Sequence, residues 1–108
     1  MPKYLIEASY THEGVEGVRT KGGSSRRRAV AETAKSVGGK LEAFYFAFGE
    51  YDVIAIVEMP DNVSVAGFAI AAAAGGAVKS IRTIPLMTTQ EGMQAMQKAA
   101  ESSYRPAR

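Results

Sequence analysis

A chain of 108 residues with 46% hydrophobic and 22% charged content has the make-up of one soluble globular domain, which excludes a disordered segment. It holds no cysteine, so disulfides and thiolate metal sites are excluded, and a reducing cytoplasm is the compartment expected. The net charge of +2 is spread along the chain, with no push toward nucleic acid, and no apolar run nears the ~20 residues that cross a bilayer.

The start, Met1-Pro2-Lys3-Tyr4, enters a strand directly and lacks the charged start and long apolar core of a signal peptide. Residues 4–10 alternate as a strand, with Tyr4, Ile6, Ala8 and Tyr10 on one face and Leu5, Glu7 and Ser9 on the other. Residues 11–21 leave two readings open. Thr11 can cap a turn, and Val15 and Val18 are spaced for a short helix, whereas Gly14 and Gly17 argue against one. Gly22-Gly23-Ser24-Ser25 breaks the chain, and a helix through Val37 is predicted after it. Its apolar stripe is Ala29, Val30, Thr33, Ala34 and Val37, and Gly38-Gly39 ends it.

Residues 41–60 form the strongest local signal. Two apolar runs of strand length flank Gly49-Glu50, which reads as a two-residue hairpin turn. Neither strand has a wet face. The first shows Leu41, Ala43, Tyr45 and Ala47 on one side and Glu42, Phe44, Phe46 and Phe48 on the other. The second shows Val53, Ala55, Val57 and Met59 against Asp52, Ile54, Ile56 and Glu58. Asp61 and Asn62 cap a predicted helix over 63–74, rich in alanine, that closes on Gly75-Gly76. Residues 77–86 read as a fourth strand. Thr88 and Glu91 form a capping box for a helix over 89–103 with Met93, Met96 and Ala100 on one face, and 104–108 reads as a loose tail.

The order predicts an α+β, ferredoxin-like βαββαβ fold. Its four-stranded antiparallel sheet carries both main helices on one face, with an added C-terminal helix. The other sheet face is then bare and apolar. Large apolar patches are rare on soluble monomers, so a homodimer or larger homo-oligomer is expected, with the sheets packed face to face. The last helix and tail can cross to the partner or seal an edge.

The run Leu41-Glu-Ala-Phe-Tyr-Phe-Ala-Phe-Gly-Glu-Tyr-Asp-Val53 resembles the GYD domain family of small bacterial and archaeal proteins, with Gly49-x-Tyr51-Asp52 as its centre. The opening Met1-Pro-Lys-Tyr-Leu5, the Gly23-Ser-Ser-Arg-Arg27 segment and Pro60-Asp-Asn62 are similar too. The resemblance implies a dimeric α+β barrel over residues 1–90, with residues 91–108 as an appended helix and tail, and it implies no particular reaction. Related folds include cofactor-free oxygenases and haem-degrading enzymes, but fold does not fix function.

Several residues could carry chemistry. Tyr51 and Asp52 could pair at the mouth of a pocket, where a phenol beside a carboxylate orients a carbonyl or moves a proton; equally, the turn alone demands such residues. His12, the sole histidine, could be a general base or a haem ligand, or a surface loop residue. Arg26, within Gly22-Gly-Ser-Ser-Arg-Arg-Arg28, could hold an anion or form a salt bridge; the segment lacks the ending of a P-loop. Arg82 and Tyr45 join it as candidate ligand contacts, while Tyr45 and the phenylalanines around it read first as packing. No metal or cofactor is expected. The leading expectation is a homo-oligomeric binding or accessory protein for a small molecule. The rival is a cofactor-free or haem-linked enzyme using Tyr51, Asp52 and His12, with Arg26 or Arg82.

Overall fold

Alternation along the first strand decides how the sheet is oriented. In the computed structural model, which describes residues 1–107, β1 (Lys3–Tyr10) buries Tyr4, Ile6 and Ala8, while Leu5, Glu7 and Ser9 between them turn the other way and stay half-buried. The chain continues through α1 (His12–Lys21), α2 (Gly23–Ser36), β2 (Lys40–Phe46), β3 (Val53–Glu58), α3 (Asn62–Ala74), β4 (Val78–Leu86) and α4 (Thr89–Ala100). The four strands make one antiparallel sheet in the order β2-β3-β1-β4, so the expected ferredoxin-like α+β architecture is present.

Helices α2 and α3 cover one face. Ala34 of α2 and Val65 and Phe68 of α3 pack on Tyr4, Ile6, Leu41, Ala55, Val57 and Met59 to form the main core. Met59 and Val57 are its largest fully enclosed side chains. A small residue at Ala34 lets α2 come down close to the strands. Asp61 caps α3 by accepting the Ser64 N–H at 2.8 Å, and the Tyr4 hydroxyl donates to Asn62 Oδ1 at 2.5 Å, tying β1 to the start of α3. Among the described residues, no helix is long and apolar enough to cross a membrane.

Four local readings are settled or changed by the structure. Of the two readings left open for 11–21 the helix holds: α1 spans His12–Lys21 and is capped by Thr11, whose hydroxyl accepts the Gly14 N–H at 3.0 Å. The hairpin turn is wider than two residues, because β2 ends at Phe46 and β3 starts at Val53. The intervening segment binds to β1: the Asp52 N–H donates to the Ala8 carbonyl at 2.9 Å, and the Asp52 carboxylate accepts the Tyr10 N–H at 2.8 Å. The Ala47 N–H still donates to the Asp52 carbonyl at 2.8 Å, so the two strands keep their hairpin register to residue 52 and the open loop is 48–51.

The third is a β-bulge. Leu41 pairs with Val57 but Ala43 pairs with Ile56, so Glu42 is an extra residue and the faces exchange there. Leu41, Phe44 and Phe46 therefore share the helix side, instead of Leu41 joining Ala43 and Tyr45. The last helix stops at Ala100 rather than 103. The chain is irregular from Ser102 through Ala107, and Arg108, the end of the expected tail, lies outside the described residues.

Truncating the enclosed side chain at the centre of this core tests the packing. Met59→Ala is expected to lower unfolding free energy by about 2–5 kcal/mol in urea titrations, through lost burial and the cavity left behind.

Candidate functional site

The ground of the site is the joint between α1 and α2. Gly22 stands there at φ 90°, in the region that glycine adopts without strain, so α2 starts at once in a new direction. The start of α1 is pinned to the α3–β4 connection: the Thr11 N–H donates to the Ala77 carbonyl and the Thr11 hydroxyl to the Gly76 carbonyl, both at 2.9 Å. Gly14 comes so close that a Cβ there would collide with the Ala77 carbonyl oxygen. The absent side chain is what lets α1 lie against this connection and wall in a cleft.

Arg26, in the first turn of α2, borders three clefts; a fourth and roomier one, of about 640 Å³, is edged by Met1, Lys3, Leu86 and Met87 where β4 leads into α4. Arg26 borders a cavity of about 230 Å³ between α1 and α2, edged by Glu13, Lys21, Ser25 and Ala77. It also borders one of about 160 Å³ between α2 and α3, edged by Thr33, Phe68 and Ala72. Beneath lies an apolar void of about 30 Å³ reaching Ile6, Phe44 and Val53, so the interior next to Arg26 is nearly filled.

The electrostatics are one-sided. Among the described residues, Arg26 Nε is buried with no hydrogen-bond partner, and no carboxylate stands within ion-pair distance of the guanidinium. An arginine cannot shed its proton to escape this, and an unanswered buried donor costs about 1–3 kcal/mol, more when charged. Tyr10 lies beside the guanidinium: Arg26 Cζ is 5.6 Å from the Tyr10 ring centroid, within cation–π range. Burial pushes the Tyr10 phenol above its ordinary value, and the Arg26 cation beside it pulls the other way.

The sequence-derived candidates fall in separate places. Asp52 is half-buried, with one carboxylate oxygen engaged by the Tyr10 N–H. Tyr51 and Arg82 meet on the bare sheet face, where hydrogen bonding to Tyr51, and then the charges of Tyr51 and Glu7, raise the Arg82 guanidinium further; its distance to Glu7 is 3.9 Å. Tyr45 is on that same bare face, at 68% exposure, paired across the strands with Ile54. His12 is exposed at the first position of α1. None of the cavities described here is lined by Tyr51, Asp52 or His12. Arg26 and Arg82 lie on opposite sides of the sheet.

Sequence reasoning missed Tyr10, Lys21, Ser25 and Ala77 as neighbours of Arg26. One signal was present: Tyr10 shares the inward face with Ile6 and Ala8, yet carries a hydroxyl that a core position would have to satisfy. Comparison with known proteins adds one finding. The family model described as GYD domain matches residues 4–98, reaching past residue 90 and so taking in most of α4. No curated protein and no solved structure matches the chain.

Two measurements test this geometry. Asp52→Ala should cost about 1–3 kcal/mol in urea unfolding, because the Tyr10 N–H loses its acceptor, while Asp52→Asn recovers most of it. In ultraviolet absorbance Tyr10 should titrate above the ordinary phenol value. Its raised value favours the protonated phenol in the fold, so its stabilisation is complete below pH 10.0, is lost as pH climbs through the folded value, and is absent in Tyr10→Phe.

Proposed function

The chain belongs to the GYD domain family, and from that membership and the bare side of its sheet we propose that it is the subunit of a face-to-face homodimer that serves as a small-molecule binding or accessory protein. One observation carries the reading. Ala43, Ile56, Leu5 and Ile84 line up across all four strands in register, an apolar band over the face that no helix covers. The band is bordered at one end by Lys3, Glu42 and Glu58, with Lys3 Nζ 2.7 Å from Glu42, and at the other by Glu7 and Arg82. Both charge signs at both ends of an apolar strip suit a copy of the same surface turned about a two-fold axis.

Area argues that α4 takes part. A four-stranded face about seven residues long covers on the order of 450 Å² in projection, while a stable interface buries roughly 800 Å² per partner. Among the described residues of α4 none is buried, and Met93 and Met96 are 63% and 66% exposed. The radius of gyration is 16.8 Å and the longest extent 55 Å, whereas a compact chain of this length has a radius near ~13 Å. A single helix of 12 residues gains little stability from its own backbone. Packed across the partner, its methionine face would supply the missing contact.

The rival enzyme reading gains no support from the cavities: Asp52 is engaged by backbone, His12 is in solvent, and the two share no cleft with Tyr51.

Sedimentation velocity at micromolar concentration tests the dimer. The parent should run as two subunits. Ile56→Glu, which puts a carboxylate into the dry band, should weaken association by on the order of a hundredfold or more while the circular dichroism spectrum stays that of a folded chain. Met96→Glu should weaken it less. A parent that sediments as one subunit would overturn the reading.

A further inference from the structure

We infer that the cleft at Arg26 binds a small monocarboxylate with a compact apolar body, an acid of about the size of benzoate. The inference rests on the reading of this chain as a binding protein and names the ligand class. The cation has no carboxylate partner among the described residues, Arg26 Nε is buried without an acceptor, and the side chain, beside the Tyr10 ring, lines both clefts. A carboxylate matches a guanidinium edge with two parallel hydrogen bonds, and does so best where water is excluded.

The walls choose the rest of the molecule. Ala29 and Ala77 border both clefts, Val18 borders the outer one, and Phe68 and Ala72 border the inner. Volumes of about 160 and 230 Å³ compare with the ~150 Å³ apolar cavity that accepts benzene, so one ring or a branched chain fits and a nucleotide does not. Charge decides between anions. Lys21 and Ser25 at the mouth of the outer cleft add donors, but Glu13 stands at the same rim. Hydrogen bonds from its own N–H and from Thr11 lower the Glu13 carboxyl below its ordinary value, so it is ionised at neutral pH. A fixed negative charge there opposes a dianion more than a monoanion, which favours a carboxylate over a phosphate. The cleft lies on the helix side, away from the apolar band, so a face-to-face dimer leaves one open site in each subunit.

Titration calorimetry on the full chain tests the inference with benzoate, benzyl alcohol and inorganic phosphate as probes. Benzoate should bind once per subunit. Benzyl alcohol, the same size without the charge, and phosphate should each bind at least about tenfold more weakly. Arg26→Met should lose at least about tenfold for benzoate, and Arg26→Lys should recover only part of it. The neutral probe on the unaltered chain keeps the test sound if Arg26→Met unfolds. The inference is overturned by no saturation into the millimolar range, by equal binding of benzoate and benzyl alcohol, or by phosphate binding more tightly. A dimer that ignores benzoate would remove this site and leave the assembly intact; a monomer that binds it would do the reverse.

Discussion

The fold depends on a sheet that is apolar on two sides and covered on one. Strand β3 shows this most plainly. Val53, Ala55, Val57 and Met59 are buried beneath α2 and α3, while Ile54 and Ile56 alternate with them and face away. Few elements are free to cover that second side. Helices α2 and α3 are held on the first by Ala34, Val65 and Phe68, and α1 is pinned to the α3–β4 connection by Thr11. What remains is α4, which projects from the end of β4 with its methionines in water. The half-buried band and the exposed helix are two parts of one unmet demand for burial.

Much of this was legible in the residues, because period and punctuation report element type. The alternation of β1, the capping box at Thr88 and Glu91, and the cap at Asp61 all appear where the sequence put them. The rest shares a cause: each point was settled by contacts distant in sequence. Gly14 lowers helix propensity, and α1 forms all the same because the space beside Gly14 is taken by Ala77, sixty-odd residues on. Around Gly49-Glu50 the register is kept, but Asp52 is held on both sides, by Ala47 across the hairpin and by Ala8 and Tyr10 of β1, two partners that lie more than forty residues back. The bulge at Glu42 left a trace in parity: Leu41 and Phe44 are both large and apolar, and an unbroken strand would send them to opposite faces. One extra residue brings both inward and frees Glu42 to meet Lys3.

The candidate site was legible only as charge. Three arginines in a row marked the start of α2, but nothing local distinguished Arg26 from Arg27 and Arg28, which are exposed. The difference comes from helical phase. On α2 the residue that points inward at that level is 26, four before Val30 and eight before Ala34, and both of those pack on the core. A cationic side chain at a core phase is a departure from the usual pattern, and its walls come from Tyr10, Ala77 and Phe68, which no window of sequence brings together.

Strand β1 belongs to both surfaces at once. Its inward residues run from Tyr4 through Ile6 and Ala8 to Tyr10 beside Arg26; its outward residues carry Leu5 into the apolar band and Glu7 toward Arg82. Because successive side chains point to opposite faces, one register fixes both surfaces at once, and a slip of one residue would exchange them. The bonds from Tyr10 and Ala8 to Asp52 hold that register at the end of the strand nearest Arg26. The Gly49-x-Tyr51-Asp52 segment is thus a clamp on the strand that separates the covered face from the bare one. Its carboxylate acts by keeping Tyr10 under Arg26 and Leu5 in the band.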